Sequence, residues 1–312
     1  MGTGSGFGKT ILFGEHFVVY GLPAMASAIG DSTEATVEIE AGKGYELIDN
    51  RPEVPGYKKK KFDEQKISIN NVLTFMGVDL EKEKLKITLG GKLTCASGVG
   101  ASAASCVALA RAVNDTYQMG WNDTQINEAA YEGEKGYHGT PSGIDNTAST
   151  FGGLVYFVKN LHGGPNTMET IKLSKPVDMV IASSGMTANT SVVVADVREK
   201  KEENPKWFAE IVKEYKSVAK DGRHALELMN LEQVGKLMNK NHELLQKITV
   251  SNEKLDKMVK IARDAGALGA KVTGTGRGGN INMLTPGAEL QDKVYNALKT
   301  AGYAAWKTKI GV

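Results

Sequence analysis

The stretch SGVGASAAS at residues 97–105 places two glycines directly before a predicted helix of small residues. Unpaired N–H groups point out of the start of a helix, and the helix dipole is positive there. Because small side chains leave room for a phosphate, the stretch is a candidate anion site, and Ser102 offers a hydroxyl to a metal ion. A tightly packed helix start explains the same residues equally well, so the stretch alone does not decide between these interpretations.

Two further glycine-rich segments are GSGFGKT at residues 4–10 and GTGRGG at residues 274–279. A P-loop would need a glycine where Thr3 stands and a helix after the loop, whereas the next residues have a strand pattern. The second segment has the spacing G-x-G-x-x-G, but the NINML that follows favours a strand, not the helix of a dinucleotide site. We therefore expect neither site, although a glycine loop between strands still lets a substrate or phosphate approach the backbone.

Length and composition exclude several classes of protein. The chain has 312 residues, 41% hydrophobic and 24% charged, which is ordinary for a globular protein. A net charge of +2 excludes a strongly basic nucleic-acid-binding protein. No apolar run reaches the ~18 residues of a membrane span, and the first residues lack a signal-peptide core. We expect a cytoplasmic protein, with an organellar location left open, that has no nucleic-acid or membrane partners and in which Cys95 and Cys106 stay reduced.

The pattern along the chain predicts two α+β domains, at residues 1–172 and 173–312. Alternating apolar residues predict a strand at 33–40, and a 3.6-residue period predicts a helix at 63–76. The run YKKKK at 57–61 is expected to be a solvated loop. Most of the second domain is helix-patterned, over residues 190–203, 206–229, 232–248 and 252–265.

Four motifs occur in a fixed order: KTILFGEHFVVYG (9–21), SGVGASAA (97–104), HGTPSGIDN (138–146) and KVTGTGRGG (271–279). Together they resemble the conserved motifs of the GHMP kinase superfamily, and the resemblance spans essentially the whole chain. The pairing of the first motif with EGEKGYHGTPSGIDN (132–146) is similar to the mevalonate kinases in particular, including forms from unicellular eukaryotes.

The resemblance implies an α+β GHMP kinase fold. Its N-terminal, ATP-binding domain would be ribosomal-protein-S5-like, and a ferredoxin-like C-terminal domain would close the active-site cleft. The implied reaction is the ATP- and Mg²⁺-dependent phosphorylation of the 5-hydroxyl of (R)-mevalonate, in isoprenoid precursor synthesis. Another small-molecule kinase of the superfamily, such as a galactokinase or sugar kinase, and a non-catalytic ligand-binding regulator stay open as alternatives. A homodimer is also left open.

The resemblance also assigns residues. Asp145 matches the catalytic aspartate, which would accept the proton of the attacking hydroxyl, and Lys9 matches the lysine beside it. Ser102 and Glu134 match the magnesium ligands, since hard oxygen donors suit Mg²⁺. The expected ATP-binding residues are Gly98, Val99, Gly100, Ala101, Ser102 and Ser105. The expected substrate-binding residues are Glu15, His16, Thr190, Gly274, Thr275 and Gly276.

Without these motifs, Asp145 would be interpreted as an ordinary helix-start aspartate and Glu134 as a solvated helix residue. The chain also departs from the family pattern at two positions. Cys95 stands near the usual proline before the second loop, and Ala101 replaces the first of the paired serines. Neither change removes an expected metal ligand, but both bear on the rigidity of the loop and on its affinity for nucleotide.

Overall fold

The computed structural model describes residues 1–95, 98–186 and 188–312. Their strands are β1 Gly2–Phe13, β2 Ala24–Glu40, β3 Gly44–Asp49, β4 Lys84–Gly91, β5 Leu154–Val158, β6 Thr167–Ile171, β7 Val177–Ser183, β8 Gly269–Thr273, β9 Asn280–Leu284 and β10 Ala304–Ile310. Their helices are α1 Tyr57–Lys60, α2 Phe62–Phe75, α3 Ala101–Tyr117, α4 Asp123–His138, α5 Ile144–Phe151, α6 Thr190–Glu203, α7 Pro205–Glu227, α8 Leu231–Lys247, α9 Glu253–Asp264 and α10 Ala288–Thr300. The predicted α+β class is confirmed.

The chain forms two compact units. Unit 1 comprises residues 1–9 and 28–152, and unit 2 comprises residues 10–27 and 153–312. The chain therefore passes from one unit to the other inside β1, inside β2 and after α5. The domain limits 1–172 and 173–312 stay a prediction.

Unit 1 packs helices on a sheet. The second half of β2 pairs antiparallel with β4, from Thr33 opposite Gly91 to Glu40 opposite Lys84. β3 pairs with β4 in parallel. One hydrophobic core joins buried side chains of β2 and β4 to those of α2, α3 and α4. The predicted strand at 33–40 is confirmed, although Ile39, near its end, is 50% exposed.

Two helix predictions in unit 1 can be compared directly with the structure. The predicted helix at 63–76 is α2, and its expected apolar face is buried: Ile69, Val72, Leu73 and Met76. The prediction of a solvated loop at 57–61 is wrong. Tyr57–Lys60 is a helical turn, and the ammonium group of Lys58 donates hydrogen bonds to the carbonyl oxygens of Asp49 and Arg51. Lysine-rich composition did not reveal that one side chain of the run turns inward.

Two glycines of α4 allow its close approach to α2 and α3. A Cβ at Gly133 would lie 2.7 Å from both Cys106 Sγ and Val72 Cγ2. A Cβ at Gly136 would lie 2.5 Å from the backbone nitrogen of Ser68. The helix begins at a capping box, in which the Asn122 side chain accepts from the backbone of Gln125 and the Gln125 side chain accepts from the backbone of Asn122. α4 is thus fixed at its start and pressed against its neighbours at its end.

Unit 2 has an antiparallel sheet in the order β10-β7-β9-β8. β5 pairs antiparallel with β6 and with the first residues of β2. The predicted helices at 206–229, 232–248 and 252–265 are α7, α8 and α9. Asparagine side chains cap the last two, since Asn230 accepts from the Gln233 backbone and Asn252 from that of Leu255. Across the part of the chain that the structure describes, no helix combines the length and apolar character needed to cross a bilayer.

We expect Gly136→Ala to destabilise the protein. Alanine raises helix propensity by up to about 1 kcal/mol over glycine. The new methyl group would nevertheless meet the backbone of α2, which cannot move aside as a side-chain end can. Overpacking of this kind costs about 1–3 kcal/mol, so the contact should outweigh the propensity. Denaturant unfolding measures the difference.

Gly90→Ala is the matched control, because a Cβ at Gly90 would meet no atom within 4 Å. Its free energy of unfolding should stay close to that of the parent. An equal or higher stability of Gly136→Ala would show that α2 and α4 are free to separate.

Candidate active site

An ion pair in unit 1 joins two of the predicted catalytic residues. Lys9 Nζ lies 3.1 Å from Asp145 Oδ2, and the lysine side chain is almost fully buried. Asp145 stands in the first turn of α5, while the Lys9 backbone nitrogen in β1 donates to the carbonyl oxygen of Val99. Gly100 has a φ of +69°, and a Cβ there would lie 2.7 Å from Lys9 Cγ. The glycine therefore leaves the space through which the lysine reaches Asp145.

Glu134 on α4 is the second carboxylate of this group, and it is only 1% exposed. Burial raises its pKa to about 8, and the negative charge of Asp145 acts in the same direction. The Ser102 hydroxyl and the Lys9 ammonium group lower it. Among the described residues, Glu134 Oε1 has no hydrogen-bond partner. His138 Nε2 lies 3.8 Å from Oε2, too far for a hydrogen bond.

This donor set fits a magnesium ion. Mg²⁺ typically binds one or two protein oxygens and keeps water and phosphate oxygens as its other ligands. Glu134 offers a buried oxygen that no described residue hydrogen-bonds, and Ser102 offers a hydroxyl close enough to lower the glutamate pKa. The described residues hold no group of three or more His, Cys, Asp or Glu side chains that could bind a metal by themselves. The residues present therefore suit a cation that takes two ligands from the protein and its other ligands from phosphate and water.

The glycine turn before α3 contains most of the predicted ATP-binding residues. Gly98 and Gly100 both have positive φ, at 87° and 69°, so the turn reverses the chain just before the helix begins at Ala101. Val99 and Ala101 are buried. Ser105 lies inside the helix, where its hydroxyl donates to the Ser102 carbonyl oxygen at 2.8 Å. Ser97, the first residue of the SGVGASAAS stretch, lies outside the described residues.

A second group of predicted residues meets in unit 2. His16 Nε2 lies 2.6 Å from the carbonyl oxygen of Thr275, and the Thr275 hydroxyl lies 2.8 Å from that of Thr190. Gly274 and Gly276, on either side of Thr275, both have positive φ. A Cβ at Gly276 would come within 2.5 Å of the Val250 carbonyl oxygen, so this position requires glycine. The structure thus brings His16, Thr190 and the loop at 274–276 together.

The chemistry of this contact fixes the state of His16. A carbonyl oxygen only accepts, so Nε2 carries the proton. Burial lowers the pKa of His16; the Thr275 bond raises it and the Arg277 charge lowers it. A lowered pKa leaves the ring neutral at pH 7. Nδ1 is then a pure acceptor, and it has no hydrogen-bond partner within the described part of the chain.

Glu15 is also buried, and its carboxylate forms an ion pair with the fully buried ammonium group of Lys271. Lys271 also donates to the Val272 carbonyl oxygen. Sequence reasoning assigned Glu15 to the substrate and gave Lys271 no role, although Lys271 begins the motif KVTGTGRGG. In the structure the two charges compensate each other inside unit 2, directly before the partly buried turn of the motif.

Arg277 is a further residue that sequence reasoning missed. Its guanidinium group donates to the carbonyl oxygen and hydroxyl of Thr249 and forms an ion pair with Asp196 on α6. Its backbone nitrogen donates to the Val250 carbonyl oxygen. Arg277 therefore fastens the loop at 274–276 to its surroundings. A lone arginine among the glycines of GTGRGG was the available sequence signal, and in the structure Arg277 has a positive φ.

We expect His16 to contribute to acid destabilisation. The unfolded chain takes up a proton near the ordinary histidine pKa of 6.5, whereas burial resists that proton in the folded state. Stability should therefore fall as the pH drops from 6.5 towards the lowered pKa. His16→Gln should lose less stability than the parent between pH 7.5 and 5.5, measured by denaturant unfolding.

His162→Gln controls for the removal of a histidine, since His162 lies on an exposed loop. It should show the same loss as the parent over this range. If the parent and His16→Gln lost equal stability, the ring of His16 would not be held neutral by its burial.

Comparison with known proteins assigns both halves of the chain to one family. Residues 68–153 match the GHMP kinases N terminal domain, and residues 223–304 match GHMP kinases C terminal. The mevalonate kinase of Thermococcus gammatolerans is 32% identical over 97% of this chain and 94% of its own length.

Solved structures support the same family assignment. The L. major mevalonate kinase in complex with R-mevalonate is 39% identical, with a TM-score of 0.96 over 99% of this chain and 96% of that one. The Methanococcus jannaschii mevalonate kinase is 27% identical, with a TM-score of 0.82 over 99% and 98%. These likenesses cover the motifs that hold Lys9, Glu134 and Asp145, and the chain belongs to the GHMP kinase family, among its mevalonate kinases.

Proposed function

We propose that this chain transfers the γ-phosphoryl group of ATP to the 5-hydroxyl of (R)-mevalonate and releases 5-phosphomevalonate and ADP. The observation that carries the proposal is the Lys9–Asp145 ion pair beside buried Glu134 in unit 1. The family supports the substrate, since the L. major relative was solved in complex with R-mevalonate. A cytoplasmic location and a homodimer stay predictions.

Asp145 is the proposed base. The substrate hydroxyl attacks the γ-phosphorus, a new P–O bond forms, and the bond from that phosphorus to the leaving ADP oxygen breaks. The hydroxyl proton passes to the Asp145 carboxylate. Lys9, 3.1 Å from that carboxylate, supplies a fixed positive charge to the region where negative charge gathers. Most of the rate enhancement then comes from positioning and charge stabilisation, as is usual in phosphoryl transfer.

Ser102 and Glu134 are the proposed magnesium ligands. When bound, Mg²⁺ neutralises phosphate charge and fixes the phosphates in place. The Oε1 of Glu134 supports this role: none of the residues that the structure describes hydrogen-bonds it, and a buried oxygen in that position is unfavourable until a donor or cation reaches it. The residues Gly98, Val99, Gly100 and Ala101 would bind phosphate through backbone N–H groups at the start of α3. The Ser105 hydroxyl already donates a hydrogen bond within α3. Ser105 would therefore contribute to phosphate binding through its position in that helix and not through its hydroxyl.

His16, Thr190 and Thr275 are proposed to bind mevalonate in unit 2, with Glu15 fixing the turn before His16. Because His16 is neutral and its Nε2–H donates to Thr275, its Nδ1, which no described residue hydrogen-bonds, can accept a hydrogen bond. A hydroxyl can donate to it, whereas an ionised carboxylate cannot. The chemistry therefore favours a hydroxyl end of the substrate at His16 over its carboxylate. Backbone groups at Gly274 and Gly276 lie beside the same contact.

A substrate panel tests the proposal. Coupled ADP release should be fastest with mevalonate among mevalonate, galactose, homoserine and phosphomevalonate. Asp145→Asn should lose on the order of 10²- to 10⁴-fold in kcat, the usual contribution of a general base, while still binding a fluorescent ATP analogue. Measuring both kcat and analogue binding distinguishes the loss of the base from the loss of the nucleotide site.

Asp63→Asn is the matched control, since Asp63 is an exposed aspartate in the first turn of another helix, α2. It should leave kcat unchanged. Near-normal kcat in Asp145→Asn removes that residue from the mechanism. Faster turnover of galactose would leave only the family assignment, and ATP binding without turnover of any substrate would favour a regulator.

A magnesium titration tests the metal ligands. Glu134→Gln and Ser102→Ala each remove or weaken one oxygen donor. The Mg²⁺ concentration that gives half-maximal activity should therefore rise at least about tenfold. Glu132→Gln is the control on the same helix, because Glu132 pairs with Lys135 instead. Titration curves of both variants that overlay the parent's would refute the metal assignment.

A further inference from the structure

The segment that follows β3 contacts the start of α3 through a buried arginine. Arg51 is only 5% exposed, and its Nη1 donates to the carbonyl oxygen of Ala101 at 3.3 Å. Ala101 is the first residue of α3 and directly precedes Ser102. Arg51 therefore holds one end of the glycine turn at 98–100.

The same segment holds the chain on the other side of the turn. The Cys95 backbone nitrogen donates to the Pro52 carbonyl oxygen at 2.7 Å, and the Val54 nitrogen donates to the Cys95 carbonyl oxygen at 3.0 Å. Residues 51–54 thus contact the chain both before and after the turn. Cys95 and Ala101 are also the two positions at which this chain departs from the family pattern.

Asp49 fixes the arginine. Its Oδ2 lies 2.6 Å from Arg51 Nη2 and its Oδ1 lies 2.9 Å from Arg51 Nε, a bidentate pair. Gln65 Nε2 donates to Oδ2 at 3.0 Å, and Lys58 Nζ donates to the carbonyl oxygens of Asp49 and Arg51. Although burial acts in the opposite direction, the hydrogen bonds and charge of Arg51 lower the pKa of Asp49.

A buried ion pair of this kind is a weak source of stability, because desolvation offsets most of its attraction. Its geometry is nevertheless well defined, since the planar guanidinium group has two nitrogens on the carboxylate and a third on the helix. The network therefore specifies the position of Ala101 more than it adds stability. A backbone displacement there would move the N–H groups of the turn and the hydroxyl of Ser102 together.

We propose that Arg51 is a positioning residue for the ATP phosphates, which holds the turn at 98–102 in its binding geometry through Ala101 and is itself held by Asp49. This inference rests on the proposed function only in that the turn binds nucleotide. Arg51 does not touch the reacting atoms, so its effect should appear in nucleotide affinity and not in the binding of the phosphoryl acceptor.

Arg51→Lys tests this inference, because lysine keeps the charge but cannot hold Asp49 and Ala101 with one planar group. The Kd of a fluorescent ATP analogue and the KM for ATP should both rise about tenfold, with the KM for mevalonate within about twofold of the parent. Gln65→Leu, which removes only one donor to Asp49, should shift both ATP constants in the same direction by less. It keeps the test decisive if Arg51→Lys does not fold.

Arg111→Lys is the matched control. Arg111 lies on α3 as well, and it pairs with Asp123 while donating to the carbonyl oxygens of Ser5 and Thr150, away from the turn. This variant should lose stability without losing ATP affinity. If Arg51→Lys behaved in the same way, with unchanged Kd and KM for ATP, Arg51 would be merely structural and the inference would be overturned.

Direct measurement of ATP-analogue binding distinguishes failure of this inference from failure of the proposed function. A parent that binds the analogue in an Arg51-dependent manner but does not phosphorylate mevalonate would support the inference and refute the function. A parent that phosphorylates mevalonate with an ATP affinity independent of Arg51 would support the function and refute the inference.

Discussion

Two carboxylates share one lysine in unit 1, and this imbalance of charge shapes the site. Lys9 forms its ion pair with Asp145, so Glu134 is left buried with one oxygen that no described residue satisfies. Burial and the charge of Asp145 both disfavour the ionised glutamate. In a low-dielectric interior, such an arrangement is stable only if the group takes up a proton or gains a cation. The protein thus has a site that is electrostatically incomplete by itself and is completed by positive charge.

The packing of α4 explains how a carboxylate comes to lie there. Glu134 is buried because Gly133, before it, lets the helix press on the side chains of Cys106 and Val72, and Gly136, after it, lets the helix touch the backbone of α2. A larger residue at either position would push the helix outward and expose Glu134 to water, where its affinity for a cation would fall. Small residues at 133 and 136 are therefore part of the electrostatics of the site and not only of its packing.

Much of the fold and of the site could be predicted from the sequence. Periodicity predicted the helices, whereas the motifs predicted the site residues. Periodicity was sufficient for α2 and α7 to α9, since their apolar faces follow the 3.6-residue repeat of a helix. The ordered motifs pointed to Lys9 and Asp145, and the longer stretch at 132–146 pointed to Glu134; the structure brings the three together. The motifs also pointed to His16 and Thr275, and the family resemblance pointed to Thr190; the three meet in unit 2.

The remaining contacts join residues that no local pattern connects. The inward turn of Lys58 and the bond from Arg51 to Ala101 span different elements, and a lysine run or an isolated arginine is typical of a surface. The burial of Lys271 against Glu15 depends on two segments 256 residues apart. Tertiary placement decides such cases, and single-sequence reasoning has no access to it.

The path of the chain has a consequence for how the protein is made. Residues 10–27 belong to unit 2, yet the rest of that unit lies beyond residue 152. During synthesis from the N-terminus, unit 1 can complete its core first, while the segment carrying Glu15 and His16 must wait for Lys271 and Thr275 to leave the ribosome. Until then a carboxylate and several apolar side chains, Phe13 and Phe17 among them, have no burial partner. Residues 10–27 therefore stay without their packing partners until synthesis is nearly complete, and cutting the chain after residue 152 would separate them from the rest of unit 2.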